Sequence, residues 1–238
     1  ASDVYAFGMA YQMAKRVDTS IHTYDTIYEP QVYVDYIYEN LAEICKFSDW
    51  NLSHKLDVSE AMAAAAIGYD WCYDAFTAEQ RETLKKGFYN NGLYFAWQGY
   101  DTLSSAMGSE FIMKNNHGTV ANTGALMLSL AMMDEYPEEC SYIASQAIKG
   151  AELTLYKWNT GMWYEGSNYW ELEMQFTAKF MASLDSVLST DFGFSNLEGL
   201  DEAGEAQVQV HGATDVIFNY GDANESTFFV PELIWLGN

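Results

Sequence analysis

Hydrophobic and polar positions along the chain recur mainly at helical spacing. Tyr5, Met9 and Met13, flanked by Ala6 and Ala10, predict a helix over Val4–Val17, and Val34, Ile37, Leu41 and Ile44 predict a second over Gln31–Phe47. A polar, Tyr-rich loop over Thr19–Pro30 joins them. Asp57 and Glu60 read as a capping box opening an Ala-rich helix over Val58–Tyr73, and Thr77 with Gln80 repeats the device for a helix ending near Gly92. Pro137 marks the start of a helix over Glu138–Tyr156, where Ile143, Ala147 and Ala151 share a face. A turn-rich aromatic segment, Trp158–Trp170, precedes a helix over Glu171–Leu188. Beyond Ser189 the pattern breaks into a Gly-containing loop, an alternating stretch over Ala206–Ile217 and a short helix over Ser226–Trp235. About seven or eight helices joined by loops predict an all-α chain of antiparallel hairpins with a short irregular, β-containing C-terminal region.

The pattern is sharpest over Lys114–Asp134. There Asn115, Asn116 and His117 open directly into a run, Val120–Met133, that is apolar or small on every side. A helix apolar all round is surrounded by protein. At about fifteen residues it is short of the roughly twenty that a bilayer requires, which predicts a buried core helix and no membrane span. Two amides and an imidazole at its mouth either cap the helix or face a ligand, because first-turn N–H groups suit both.

Composition narrows the function classes. With 238 residues, 49% of them hydrophobic, the chain can bury a sizeable core. Eleven basic against thirty-four acidic residues give −23, which argues against a nucleic-acid partner, since phosphate recognition needs clustered Lys and Arg. Cys45, Cys72 and Cys140 are odd in number, widely spaced and in apolar helical contexts, so they predict buried thiols and no zinc site or disulfide framework. No basic segment followed by an apolar one opens the chain, and its start at Ala1-Ser-Asp is compatible with a removed leader.

Four blocks, in order over residues 48–236, carry a resemblance. They are Ser48-Asp-Trp-Asn-Leu-Ser-His-Lys-Leu-Asp-Val-Ser-Glu60 leading into Ala66-Ile-Gly-Tyr-Asp-Trp-Cys-Tyr-Asp74; Asn115-Asn-His117; Tyr164-Glu-Gly-Ser-Asn-Tyr-Trp170; and Phe218-Asn-Tyr-Gly-Asp222 with Pro231-Glu-Leu-Ile-Trp-Leu236. Together they resemble the heparinase II/III-like and alginate-lyase-like polysaccharide lyases. The resemblance implies that residues 1–238 form a single, incomplete (α/α) toroid from a longer chain whose C-terminal β-sandwich is absent here. It also implies a secreted or periplasmic bacterial protein whose partner is an acidic polysaccharide, acting without a cofactor or metal.

Such lyases remove the proton at C5 of a uronate and expel the oxygen at C4. By that resemblance Asn116 hydrogen-bonds the uronate carboxylate, His117 is a general base or stabilises the same charge, and Tyr169 is the acid, or base and acid in turn. Free imidazole titrates near ~6.5 and free phenol near ~10, so imidazole is the readier base. Trp50, His54, Asn115, Glu165 and Trp170 are the expected substrate-binding residues, the indoles as flat platforms for sugar rings. The residues by themselves leave other readings open. Asn115 and Asn116 are good helix caps, His22 and His211 read as structural, and Tyr169 and Trp170 suit a core. Glu165 and Asp222 could be the acid and base of a toroidal glycoside hydrolase, and a helical scaffold could bind glycan or protein without turnover. The only basic pairs are Lys15-Arg16 and Lys85-Lys86, which favours a weakly charged uronate polymer over a densely sulfated one.

Overall fold

The computed structural model describes residues 1–16, 29–102, 106–158, 161–213, 216–224, 234 and 236. The loop expected after Thr19, His22 and nearly all of the helix and block expected over 226–236 lie outside the described residues. Within them the chain is all-α: α1 (Ser2–Ala14), α2 (Pro30–Ile44), α3 (Lys55–Cys72), α4 (Ala78–Phe88), α5 (Tyr94–Asp101), α6 (Ala106–Phe111), α7 (Asn116–Ala131), α8 (Pro137–Thr154), α9 (Ser167–Leu188) and α10 (Ala203–Gln209). The alternation over Ala206–Ile217 yields α10 and, among the described residues, one antiparallel bridge between His211 and Ile217 in place of strands. No described helix is long and apolar enough to cross a membrane.

Contacts divide the chain into two compact units, Ala1–Gly108 with Gly124–Ser145, and Ser109–Thr123 with Gln146–Asn238. Small residues set the packing of the first. Gly68 on α3 lies against α1 and α2, where an added Cβ would come within 2.9 Å of Val4 and 2.8 Å of Leu41. Gly124 on α7 lies against α3, where a Cβ would fall 2.2 Å from the Ser59 carbonyl oxygen. Farther along the same pair, the Tyr69 hydroxyl donates to Glu135 just past α7 (3.3 Å), so α3 and this part of α7 run in the same direction. Val120, Ala125, Leu126, Leu128 and Met132 are buried, as a helix apolar on all sides requires.

Helix termini explain where the expected and observed elements differ. The Thr77–Gln80 capping box forms in both directions. Asp57 forms none: α3 starts three residues earlier than expected, and the Asp57 carboxylate instead accepts from Asn51 (2.6 Å) and pairs with His54 (2.8 Å). The helix expected to stop near Gly92 continues through a π-turn, Tyr89–Leu93, into α5. Gly92 is there for close approach, since a Cβ would meet Leu128 at 2.6 Å. In the second unit α7 and α8 are antiparallel, because Gly118 faces Thr154 while Asn122 faces Gly150.

Burial pushes the thiols of Cys45, Cys72 and Cys140 up to about 12, and all three are free. They are therefore protonated and poorly nucleophilic near neutral pH. A chromogenic disulfide reagent at pH 8 should react with the native protein far more slowly than with free cysteine, and release three equivalents promptly once the chain is unfolded; rapid native labelling would contradict this packing.

Candidate functional site

The second unit holds the polar head of α7. His117 lies in the first turn with its side chain 31% exposed, and its Nδ1 is 2.7 Å from Oε2 of Glu110, whose side chain is 7% exposed. Three residues bring this pair together. The buried Asn122 donates both to the Phe111 carbonyl at the end of α6 (3.0 Å) and to the Gly118 carbonyl (2.8 Å). Gly118 lets the turn between the helices fold back onto α7: a Cβ there would sit 1.9 Å from the Met113 carbonyl oxygen and 2.5 Å from Thr154. Gly150 on α8 leaves room for the Asn122 amide, which a Cβ would meet at 2.2 Å. Glu110 is a functional candidate the sequence reading missed, and its only advance signal is an acid seven residues before a histidine across a short turn.

Neither asparagine caps the helix through its side chain. The Oδ1 atoms of Asn115 and Asn116 are buried without a hydrogen-bond partner among the described residues. The cap comes from another segment. Oε2 of Glu165 accepts from the backbone N–H of Asn116 (3.3 Å) and from the Trp163 indole N–H (2.9 Å). A carboxylate suits this position because the first-turn N–H groups and the helix dipole both favour negative charge. Glu165 is thus a structural anchor through this oxygen.

Backbone geometry fixes the anchor. Gly166 has φ +111° and packs against the Tyr220 carbonyl, while Gly221 has φ +61° and packs against the Glu165 carbonyl. The Asp222 N–H donates to the Glu165 carbonyl (2.8 Å). The two Gly-containing blocks, 164–170 and 218–222, therefore meet backbone to backbone.

Tyr169 is on a helix rather than in the turn segment, since α9 begins one turn earlier than its apolar pattern suggests, directly after Gly166. The Thr119 hydroxyl donates to the buried Glu173 carboxylate, and the Thr123 hydroxyl to the Phe176 carbonyl (3.2 Å). Contacts that advance together along both helices make α7 and α9 parallel. With Asn116 tied to Glu165, their first turns share one end, so Asn116, His117 and Tyr169 come from adjacent helix starts. Tyr169 is half-buried.

The expected sugar platforms are elsewhere. Trp163 and Trp170 are fully buried with Trp158, at ring separations of 5.5 and 5.9 Å from it, and the Trp170 indole donates to the Gly161 carbonyl (2.9 Å). Trp50, in the first unit, is also buried, with its indole donating to the Ile44 carbonyl (3.0 Å) and its ring edge on Phe88. None of these three rings has a face open to a ligand, so the platform role expected of Trp50 and Trp170 does not survive their burial. His54, also in the first unit, is exposed and paired with Asp57. Among the described residues, the large exposed rings of the second unit are Tyr164, 52% exposed, Phe192, 57% exposed, and Phe218, 69% exposed and stacked on Tyr220. The Tyr164 hydroxyl donates to the Lys114 carbonyl (3.2 Å), just before the Asn115–His117 turn.

No protein-family model matches the chain, and no curated protein matches its sequence. The chemistry must be read from the residues. No group of three or more His, Cys, Asp or Glu among the described residues is arranged to hold a metal ion. An open groove of about 840 Å³ lies in the first unit between α2 and α4, lined by Glu43, Lys46, Glu82 and Lys86 among others. Its lysines are already paired, Lys46 with Glu43 and Lys86 with Glu82, and it holds no imidazole. The half-buried imidazole on a buried carboxylate is the stronger candidate for acid–base chemistry.

Gly118→Ala tests this construction. The new methyl must displace the Met113 carbonyl, so the substitution should cost about 1–3 kcal/mol in denaturant unfolding, as overpacking does, and weaken the His117–Glu110 contact. Unchanged stability would show that the turn is not packed as described.

Proposed function

We propose that this chain is the catalytic helical part of a polysaccharide lyase, an incomplete (α/α) toroid that cleaves a uronate-containing polymer by β-elimination. The observation that carries the reading is the parallel register of α7 and α9, which sets Asn116, His117 and Tyr169 at one end of two adjacent helices although 52 residues separate His117 from Tyr169. Elimination needs a donor to the substrate carboxylate, a base for the C5 proton and an acid for the leaving oxygen. An amide, an imidazole and a phenol meet those needs without a metal. The toroid is supported by the antiparallel α7–α8 hairpin followed by a parallel α9, the sense of alternation a helical-hairpin array requires.

The four sequence blocks agree with this reading, and with it a secreted or periplasmic location. Substrate class follows from charge. A chain at −23 with no cluster of Lys and Arg suits a uronate polymer of low charge density. Tyr164 and Phe218 are among the exposed aromatic faces of this unit suited to sugar stacking. A hydrolase using Glu165 and Asp222 is less well supported, because the Glu165 carboxylate is engaged as the anchor of α7.

The test is ultraviolet absorbance of a 4,5-unsaturated uronate during incubation with alginate, hyaluronan, chondroitin, heparan and glucuronan. Absorbance should rise with one of them. His117→Ala and Tyr169→Phe should each lower kcat by about 10²–10⁴-fold, the usual scale of general acid–base catalysis, with unchanged helical circular dichroism. New reducing ends without absorbance would identify a hydrolase, and glycan binding without product a non-catalytic scaffold. Because enzyme and polymer carry like charge, kcat/KM should increase as salt rises from about 10 to 150 mM and screens their repulsion. A fall over that range would point to a basic docking surface instead.

A further inference from the structure

Resting on the lyase reading, we propose that Glu110 is the positioning residue of the site: it holds His117 in the tautomer protonated at Nδ1, so that Nε2 is the atom that accepts the C5 proton and Tyr169 is left as the acid. The basis is geometric. Glu110 is buried at the end of α6, its Oε2 is 2.7 Å from Nδ1, and His117 retains enough exposure for the far side of the ring to meet a ligand. A carboxylate only accepts hydrogen bonds, so a neutral imidazole beside it keeps its single N–H on Nδ1 and presents the lone pair of Nε2. The contact is built in. Asn122 fastens the residue after Glu110 to α7, and Gly118 removes the side chain that would hold the turn away.

The step balances. Nε2 takes the C5 proton, the C5–H electron pair forms the C4–C5 double bond, and the C4–O bond breaks. The departing oxygen receives the Tyr169 hydroxyl proton, and the imidazolium stays paired with Glu110. Solvent then carries the proton from Nε2 back to the Tyr169 phenolate.

The test combines Glu110→Gln with two readouts. Nitrogen-15 spectra of uniformly labelled protein report which ring nitrogen is protonated once the imidazole is neutral, and His117 is assigned by the signal lost in His117→Ala. Wild type should show Nδ1–H. Glu110→Gln, whose amide can donate to Nδ1, should shift the population towards Nε2–H and lower kcat by about 10³–10⁴-fold with KM within a few-fold, by analogy with a triad whose orienting aspartate becomes asparagine. Glu110→Asp should restore the Nδ1–H tautomer and part of kcat. A wild-type ring protonated at Nε2, a tautomer unmoved by Glu110→Gln, or full kcat with a reversed tautomer would each overturn the proposal. If wild type cleaves no polymer, the lyase reading fails by itself, while the spectra still decide whether Glu110 sets the ring.

Discussion

A helix buried along most of its length must still satisfy the N–H groups of its first turn, and in α7 that constraint organises the second unit. One oxygen of Glu165 answers it, shared between the Asn116 N–H and the Trp163 indole. A carboxylate at this position is worth about 0.3–1 kcal/mol where exposed and up to ~2 where partly buried. Its geometric effect is larger. It draws segment 163–166 onto α7, and Gly166 and Gly221 let segment 220–223 close over it. Because the positive end of the helix is already neutralised from within the protein, an anionic ligand gains little from the dipole. At the same end of the helix the amide oxygens of Asn115 and Asn116 stay out of the capping network.

Periodicity made most helices legible because a buried face is written at nearly every third or fourth residue. The interior of α7 and the Thr77–Gln80 cap followed directly. Legibility failed where one residue type serves two physical purposes. Gly92 reads as a stop and instead admits Leu128, and Asp57 reads as a cap and instead pairs with His54 and Asn51. The start of α9 was displaced by a turn because Ser167, Asn168 and Tyr169 look like loop, whereas Gly166 at φ +111° is the break.

The site was half legible for a related reason. The block resemblance singled out His117 and Tyr169 as candidates, but partners depend on how the chain reverses between elements. Glu110 is carried by a six-residue helix whose end doubles back only because Gly118 has no side chain and Asn122 bridges two carbonyls. No periodic signal encodes that reversal. The indoles erred in the opposite sense. Trp170 looks like a surface platform in a polar segment, yet three Trp rings so close in sequence are enough to form a local core, and there Trp158, Trp163 and Trp170 are buried.

The carboxylates around α7 and α9 bear on which bond-breaking chemistry the unit favours. Glu110 is turned to His117, Glu165 to Asn116 and Trp163, and Glu173 accepts from Thr119. Glycoside hydrolysis needs two carboxyl groups presented to the bond, one able to give a proton and one to take it or attack. Here three acids are directed at protein donors, and Asp222 is left as an exposed carboxylate in the adjoining segment. β-Elimination makes no such demand, because its base can be an imidazole and its acid a phenol. In a protein so rich in acidic residues, the acids nearest the helix starts are engaged with protein donors, and in the lyase proposed above the proton transfers fall to His117 and Tyr169.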